Sequence, residues 1–554
     1  MNRMVWVVWC LIGATTTAGS AAPDGHPPHA DPRTGWSESS IVVQVRPGLR
    51  LEANDERRLT LRPPHGEGSP AGTTTLPIEV AGLKRASSIT PANRVLARAI
   101  GLDRYYAVEL GVTTDPTRAV GSLGEREDLI ESVSRPVRAV PHASWAASPR
   151  GDSPQVGSQF GDRAPIDTES PNDMHFRDQY ALHNEGQPIN GQPGTPASDI
   201  NVLETWDWAM DLSNITVAVI DSGVSESHPD LQERVLPGAN MFCPPDTPCF
   251  QDSDDGASSH GTHVAGIIGA TRNNGIGVAG VASGVRILPV KVLNAVGFGL
   301  TTVTANGIIW AVDQGADVIS ISIGHPGDDP YLRDAVEYAY QSGVVICAST
   351  GNLPLEPVAY PAAYERTIAV GATDNNDAPA SFMSTGPELS VVAPGIDICS
   401  TWDAPSDPDS VNIRSGTSQA CPHVAGVAAL ILASDPTLTP DEVREAIENS
   451  ASDLGDPGWD PEYGHGRVDA LHAIAYANCP ADIAGAASDT PDGRVDWHDM
   501  AAYLHLFAAN DPRADITAPA GGGSGGIGAV DLEDLQEFID DFNNGCGPDS
   551  VRPQ

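Results

Sequence analysis

The chain has 554 residues, too long for one compact domain and enough for about two to four. It carries 73 Asp and Glu against 31 Lys and Arg, a net charge of −42, so it lacks the basic stripe that phosphate binding requires and nucleic acid is excluded as a partner. The same excess favours solubility and bound cations.

In chain order, the first element is an apolar run, MVWVVWCLIGA from Met4 to Ala14, behind Arg3 and ahead of the small residues TTTAGSAAP. A positive start, a run of that length and a small-residue exit form an export signal over residues 1–22, too short to cross a bilayer. No later stretch is long and apolar enough for a membrane span. The expected location is therefore secreted, extracellular or at the cell surface, where cysteines oxidise. There Cys243 and Cys249 in CPPDTPC read as a loop staple, and Cys479 with Cys546 bracket the C-terminal segment. Cys347, Cys399 and Cys421 each sit in an apolar stretch and read as buried thiols.

A small α+β unit is expected over residues 41–140. SIVVQVRPG and DRYYAVEL alternate like strands, and DPTRAVGSLGEREDLIESV is amphipathic behind a Thr/Asp start. Residues 141–171, rich in Pro, Gly, Ser and acid, read as a linker. From 172 to 478 the apolar runs NITVAVIDSG, VRILPVKVL, ADVISISIG, GVVICASTGN, RTIAVGATD and LSVVAPG alternate with helices, including 260–270, 302–315, 330–342 and 417–434. Such alternation predicts an α/β fold, a parallel sheet covered by helices on both faces, with reacting groups at the carboxyl edge of the strands.

Three segments place polar residues at that edge. Asp221 in AVIDSG ends a buried strand; alone it would be an ordinary turn residue. In SSHGTHVAGIIGA, His260 opens a Gly/Ala-rich helix and His263 lies one turn in, with no Glu or Cys at a spacing that would make a metal pair of them. In RSGTSQACPHVAG, Pro422 is tolerable only near a helix start, which sets Ser418 at the N-terminus with an exposed hydroxyl beside free backbone N–H groups. Cys421 and His423 point into packing, and Ser415 and Thr417 form the approach turn.

Asp, His and Ser in that order, in DSG, HGTHVAG and GTSQACPHVAG, resemble the subtilisin-like serine protease (subtilase) family over residues 172–478, with Gln419 and Cys421 replacing commoner Met and Ser or Ala. The resemblance implies a serine endopeptidase acting on polypeptide substrates through an acyl-enzyme. Ser418 is then the nucleophile, His260 the base and then acid, Asp221 the orienter of the imidazole, and Asn352 in ASTGN the side-chain donor to the oxyanion. His263 is a bystander. It further implies substrate backbone along Gly297 to Gly299 and Ser322 to Gly324, with the apolar loop LPLEPVAYP favouring large apolar residues before the cleaved bond. TRNNGIGVAG resembles the family's calcium loop, with Asn274 offering a side-chain oxygen, Ile276 and Val278 carbonyls, and Asp230 and Asp173 carboxylates to a structural Ca²⁺.

By position the 41–140 unit resembles a subtilase propeptide, a folding aid and inhibitor removed by a cut between about 140 and 171. The tail, 479–546, repeats itself: DGRVDWHDMAAYLHLF and GAVDLEDLQEFIDDF align with Asp496 set against Asp531. Each copy resembles half of a dockerin-like, EF-hand-like module, although Asp482 to Asp499 and Asp515 to Asp534 are longer than a twelve-position calcium loop. Its roles are attachment to a surface or scaffold partner or a disulfide-closed stability cap. The competing whole-chain reading is a catalytically silent assembly protein that displays this tail.

Overall fold

The computed structural model describes residues 40–141 and 170–478 with short interruptions, together with 481–482 and 494–495. The export signal, most of the linker and the repeated tail lie outside the described residues.

The N-terminal unit is a six-stranded sheet with two helices. Its elements are β1 (Ser40–Val45), β2 (Arg50–Ala53), β3 (Arg58–Arg62), β4 (Thr74–Arg85), α1 (Arg94–Ile100), β5 (Tyr105–Leu110), α2 (Pro116–Gly124) and β6 (Ile130–Ser134). The strand order is β2-β3-β4-β5-β1-β6. The expected long amphipathic segment divides here. Asp115 caps α2 by accepting from Thr117 and Arg118 N–H, Pro116 occupies the first turn, and the chain re-enters the sheet as β6. A further strand, β7 (Arg138–Pro141), follows after three residues.

The larger unit begins with β8 (Thr216–Asp221), β9 (Ala239–Asn240), α3 (His260–Gly269), β10 (Arg286–Lys291), β11 (Gly299–Leu300) and α4 (Thr301–Asp313). It continues with β12 (Val318–Ile321), β13 (Ile323–Gly324), α5 (Pro330–Gln341), β14 (Val345–Ser349), β15 (Ile368–Thr373) and β16 (Val391–Pro394). Last come β17 (Ile398–Thr401), β18 (Val411–Arg414), α6 (Thr417–Ser434), α7 (Pro440–Asn449) and α8 (Ala470–Asn478). The sheet runs β16-β15-β14-β12-β8-β10-β9, parallel throughout, as the apolar runs predict.

Period-two alternation divides the strand side chains between two cores. Val217 and Val219 of β8 join a cluster with α3, α6, α7 and α8, while Ala218 and Ile220 join one with α4 and α5. Each fully buried Val or Ile among them stabilises the fold by about 1.5–3 kcal/mol. The N-terminal sheet divides in the same way: Ile41, Val43 and Tyr106 face its own core, whereas Val42, Ala86 and Tyr105 enter the α4/α5 core. One face of the first unit is therefore sealed against two helices of the second.

Polar contacts edge this seam. Tyr105 Oη donates to Asp334 Oδ2 at 2.9 Å, and the Ala92 N–H to Asp313 Oδ2 at 2.9 Å. Burial pushes Asp334 up to about 6, against the Tyr105 hydrogen bond and the charges of Arg333 and Arg104, and with Glu337 adding to the rise. A carboxyl whose pKa rises on burial contributes stability that is complete below about 4 and is lost as pH climbs through about 6. In a Ser418→Ala background, the melting temperature of the parent relative to Asp334→Asn should therefore fall between pH 4 and pH 6.5 and level off above. A difference that stays flat with pH contradicts this account.

Candidate active site at the carboxyl edge

Asp221 is the last residue of β8 and is wholly buried. Its Oδ1 accepts from the Ser222 N–H at 2.6 Å and contacts His260 Nδ1 at 2.7 Å. An ionised carboxylate only accepts, so Nδ1 carries the proton and Nε2 is the imidazole's basic nitrogen. The contact depends on Gly261: a Cβ there would lie 2.1 Å from the Gly223 carbonyl oxygen and 3.1 Å from Asp221 Cβ, so only glycine lets α3 start this close to the strand end. The Gly261 N–H bonds Ser222 Oγ at 3.0 Å, and Ser259 Oγ donates to the Asp403 carbonyl at 2.8 Å.

Ser418 is the second residue of α6. Pro422 has no N–H for the Ser418 carbonyl four residues back. Ser322 Oγ supplies that donor at 2.9 Å, and Ser418 Oγ in turn donates to the Ser322 carbonyl at 2.9 Å. The structure corrects the expectation of an exposed hydroxyl, for Ser418 has no solvent exposure. Asn352 Oδ1 accepts from both the N–H and the hydroxyl of Thr417, at 3.0 and 2.9 Å, which fixes the carboxamide and sets its amide nitrogen at the other end.

The expected substrate edges are strand edges, and they are already paired. β7 lies antiparallel between β11 and β13: Ala139 and Arg138 oppose Gly299 and Leu300, and Val140 and Pro141 oppose Gly324 and Ile323. Gly297 lies in the turn before β11, its N–H on the Asn294 carbonyl, and Ser322 precedes β13; neither is itself in these pairs. No periodicity distinguishes a four-residue strand in a Pro-containing segment, so β7 is not legible from the residues alone.

His263 and His423 are buried. Burial pulls them down to about 3 and about 4, with His263 Nε2 on the Asn412 carbonyl at 3.1 Å and His423 Nδ1 on the Gln419 carbonyl at 2.9 Å. Both are neutral packing groups. Sequence reasoning passed over His325, next to β13, which is 4% exposed and finds no hydrogen-bond partner for either ring nitrogen among the described residues.

The calcium-loop residues converge. Asp230 is wholly buried, with Oδ1 accepting from Asn274 Nδ2 at 2.7 Å and Oδ2 from the Val278 N–H at 2.9 Å. Asp173 accepts from the Asn273 and Asn274 N–H groups at 2.9 and 3.3 Å. Burial first, and then the Asp173 charge, raises Asp230 to about 6. Asn274 Oδ1 is turned to the Ile276 N–H at 3.0 Å, so its amide end faces the carboxylate where its oxygen was expected. Among the described residues no three His, Cys, Asp or Glu side chains group as metal ligands, so protein oxygens other than carboxylates would complete any such site.

An aspartate, a histidine and a serine, delivered by separate elements to one edge of a doubly covered parallel sheet, define an α/β class built for hydroxyl, imidazole and carboxylate to act together. The model of the subtilase family (peptidase S8) matches residues 213–466. The chain is 45% identical over 260 residues to Subtilisin E of Bacillus subtilis (strain 168), an alignment that takes in 46% of this chain and 64% of that one. It is 45% identical to Subtilisin of Bacillus pumilus over 46% of this chain and 89% of that one, and 40% identical to Thermitase of Thermoactinomyces vulgaris over 50% and 94%. The chain belongs to the subtilase family.

The described free thiols are all buried, and Cys421, beneath the Ser418 turn, is pushed up to about 12 by burial. Cys347 and Cys399 are raised for the same reason. Peptides containing Cys347, Cys399 and Cys421 should take up no iodoacetamide from the native protein and should be fully alkylated in denaturant. Rapid native alkylation of Cys421 would show that the turn opens.

Proposed function

We propose that the chain is a serine endopeptidase. The observation that carries this reading is the 2.7 Å Asp221–His260 contact at the sheet edge that also holds Ser418, beside a groove whose two walls already bind an antiparallel strand. Ser418 attacks the scissile carbonyl as His260 Nε2 takes its proton, which requires the hydroxyl to leave the Ser322 carbonyl. Asp221 stabilises the imidazolium, and His260 returns the proton to the departing amine. Asn352 and the Ser418 N–H hold the oxyanion. Gly299 and Gly324 pair with substrate backbone as they pair with β7, with Gly297 and Ser322 shaping the two edges.

The N-terminal unit serves as its own inhibitor. β7 runs toward Ser322 and hence toward Ser418, which supports a maturation cut within a few residues after Pro141. Export by the 1–22 segment, and attachment to a surface or scaffold partner through the 479–546 module, complete the reading. Against the silent-display alternative, a fluorophosphonate probe should label the matured protein and fail on Ser418→Ala. Asn352→Ala should still label while losing about 10²–10³-fold in turnover. No labelling after removal of the N-terminal unit would sink the enzyme reading, and sequencing the new N-terminus reports the cut.

Ca²⁺ is proposed at Asp173, Asp230, Asn274, Ile276 and Val278. Two buried carboxylates with a raised pKa between them are what a hard cation relieves. When bound it supplies structural charge neutralisation, remote from the Ser418 chemistry. Chelator should lower the melting temperature of the parent and leave that of Asp230→Asn unmoved; an equal fall in both would remove the assignment.

A further inference from the structure

Arg414 ends β18, four residues before Ser418, opposite Ile398 of β17. Its guanidinium carbon lies 4.3 Å over the Trp402 ring, and that ring meets His263 edge-on at 6.2 Å between centroids. The guanidinium charge reaches His263, one turn along α3 from His260. Arg414 is partly buried, and among the described residues its Nε, sealed from solvent, has no hydrogen-bond partner and no carboxylate pairs with the guanidinium. Burial alone acts on it, lowering its pKa.

That isolation is out of character with its surroundings. In a chain with 73 acidic residues, the comparably placed Arg467 pairs with Asp377, and Arg444 pairs with Glu448. A partly buried cation left unpaired is unfavourable, and it persists where an anion arrives later. Its position says which anion. β7 is bounded by β11 and β13, whereas β17 and β18 form a separate two-stranded sheet whose β17 packs on α3. A polypeptide that approaches Ser418 along β11 and β13 leaves that groove beyond the reacting carbonyl and meets the wall that carries Arg414.

We propose that Arg414 is a specificity-determining residue that binds a carboxylate on the leaving-group side of the substrate, within the first two residues after the cleaved bond. The inference rests on Ser418 being the nucleophile. A planar guanidinium held over the Trp402 ring presents its fork with little ordering left to do, and that fork matches a carboxylate in two parallel hydrogen bonds. The same chemistry is offered by an Asp or Glu side chain and by the free α-carboxylate of a short leaving peptide. Selectivity is local: the overall charge of −42 repels acidic polypeptides at long range, and only this contact favours an acid at this position.

The test uses the matured enzyme and fluorogenic peptides matched except for Glu or Gln at the first or second position after the bond, each with an amidated or a free C-terminus. The wild type should cleave the Glu peptides about tenfold better in kcat/KM, chiefly through KM, with the advantage shrinking as salt is raised. Arg414→Gln should lose that preference while cleaving the Gln peptides within about twofold of wild type, and Arg414→Lys should keep part of it. A preference confined to the free C-termini assigns the α-carboxylate, and one that survives amidation assigns the side chain; either supports the carboxylate contact. Equal loss on Glu and Gln peptides in Arg414→Gln would make Arg414 a packing residue on Trp402 and overturn the proposal, as would a wild type indifferent to Glu. Fluorophosphonate labelling separates the two levels: labelling with indifference to Glu sinks Arg414 alone, whereas no labelling sinks the Ser418 reading beneath it.

Discussion

The burial of the Asp221 carboxylate at the end of an apolar strand is the constraint around which the site is arranged. An ion with no solvent exposure costs on the order of several kcal/mol unless donors surround it. Among the described residues the Ser222 N–H and the His260 Nδ1–H are the donors to its side chain, both to Oδ1, while Oδ2 has none, so the imidazole contact is the more needed. That demand dictates where α3 begins, because the imidazole reaches Asp221 only if the helix start touches the strand end. Gly261 removes the Cβ that would forbid it, and Ser259 accepts a left-handed conformation, φ 54°, to turn the chain into the helix. A strand-end charge, a glycine and a strained serine are thus one device.

A second device sets the serine. A proline six residues into α6 disturbs a helix by orphaning a carbonyl, and here the orphan belongs to Ser418 itself. Ser322 repairs it with its hydroxyl and takes the Ser418 hydroxyl on its carbonyl, so the start of α6 is stitched to the residue that leads into β13. Thr417 stitches the same turn to Asn352. The groove wall, the serine and the amide are consequently fixed relative to one another by hydrogen bonds between neighbouring residues, which is the preorganisation that the proposed acyl transfer would need.

Much of this was legible in the residues. The near-continuous apolar strands are a direct consequence of burial on both faces, so six of the seven strands and their parallel orientation followed, the two-residue β9 and the strand order did not, and α6 matches its expected span at both ends. Asp221, His260 and Ser418 stood out because each interrupts apolar or small-residue surroundings. What stayed hidden depends on contacts made across long sequence separations. Thr417 anchors Asn352, and Ser322 answers Pro422, through pairings that no local pattern records. Arg414 lay inside the quoted RSGTS stretch yet carried no signal, since only the lack of a paired carboxylate among the described residues around it makes it unusual. The amphipathic stretch DPTRAVGSLGEREDLIESV divides into α2 and β6 because Ile130 and Val133 had a sheet edge to join, a tertiary preference that outweighs the helical period.

The N-terminal unit draws its hold from two surfaces joined by a very short tether. One is the sheet face carrying Val42, Ala86 and Tyr105 against α4 and α5; the other is β7 in the groove. Three residues separate β6 from β7, so once the sheet face is seated the strand has no room to wander, and its pairing with β11 and β13 is effectively intramolecular. Neither surface need be strong alone. β7 contributes main-chain pairing that any extended peptide could imitate, and the selectivity for this occupant comes from the seam, where Tyr105 and the Ala92 N–H meet Asp334 and Asp313. Cutting the chain beyond β7 leaves both surfaces intact and therefore does not by itself empty the groove. Emptying it requires the seam to loosen, and the carboxyl groups whose ionisation opposes burial sit at that seam.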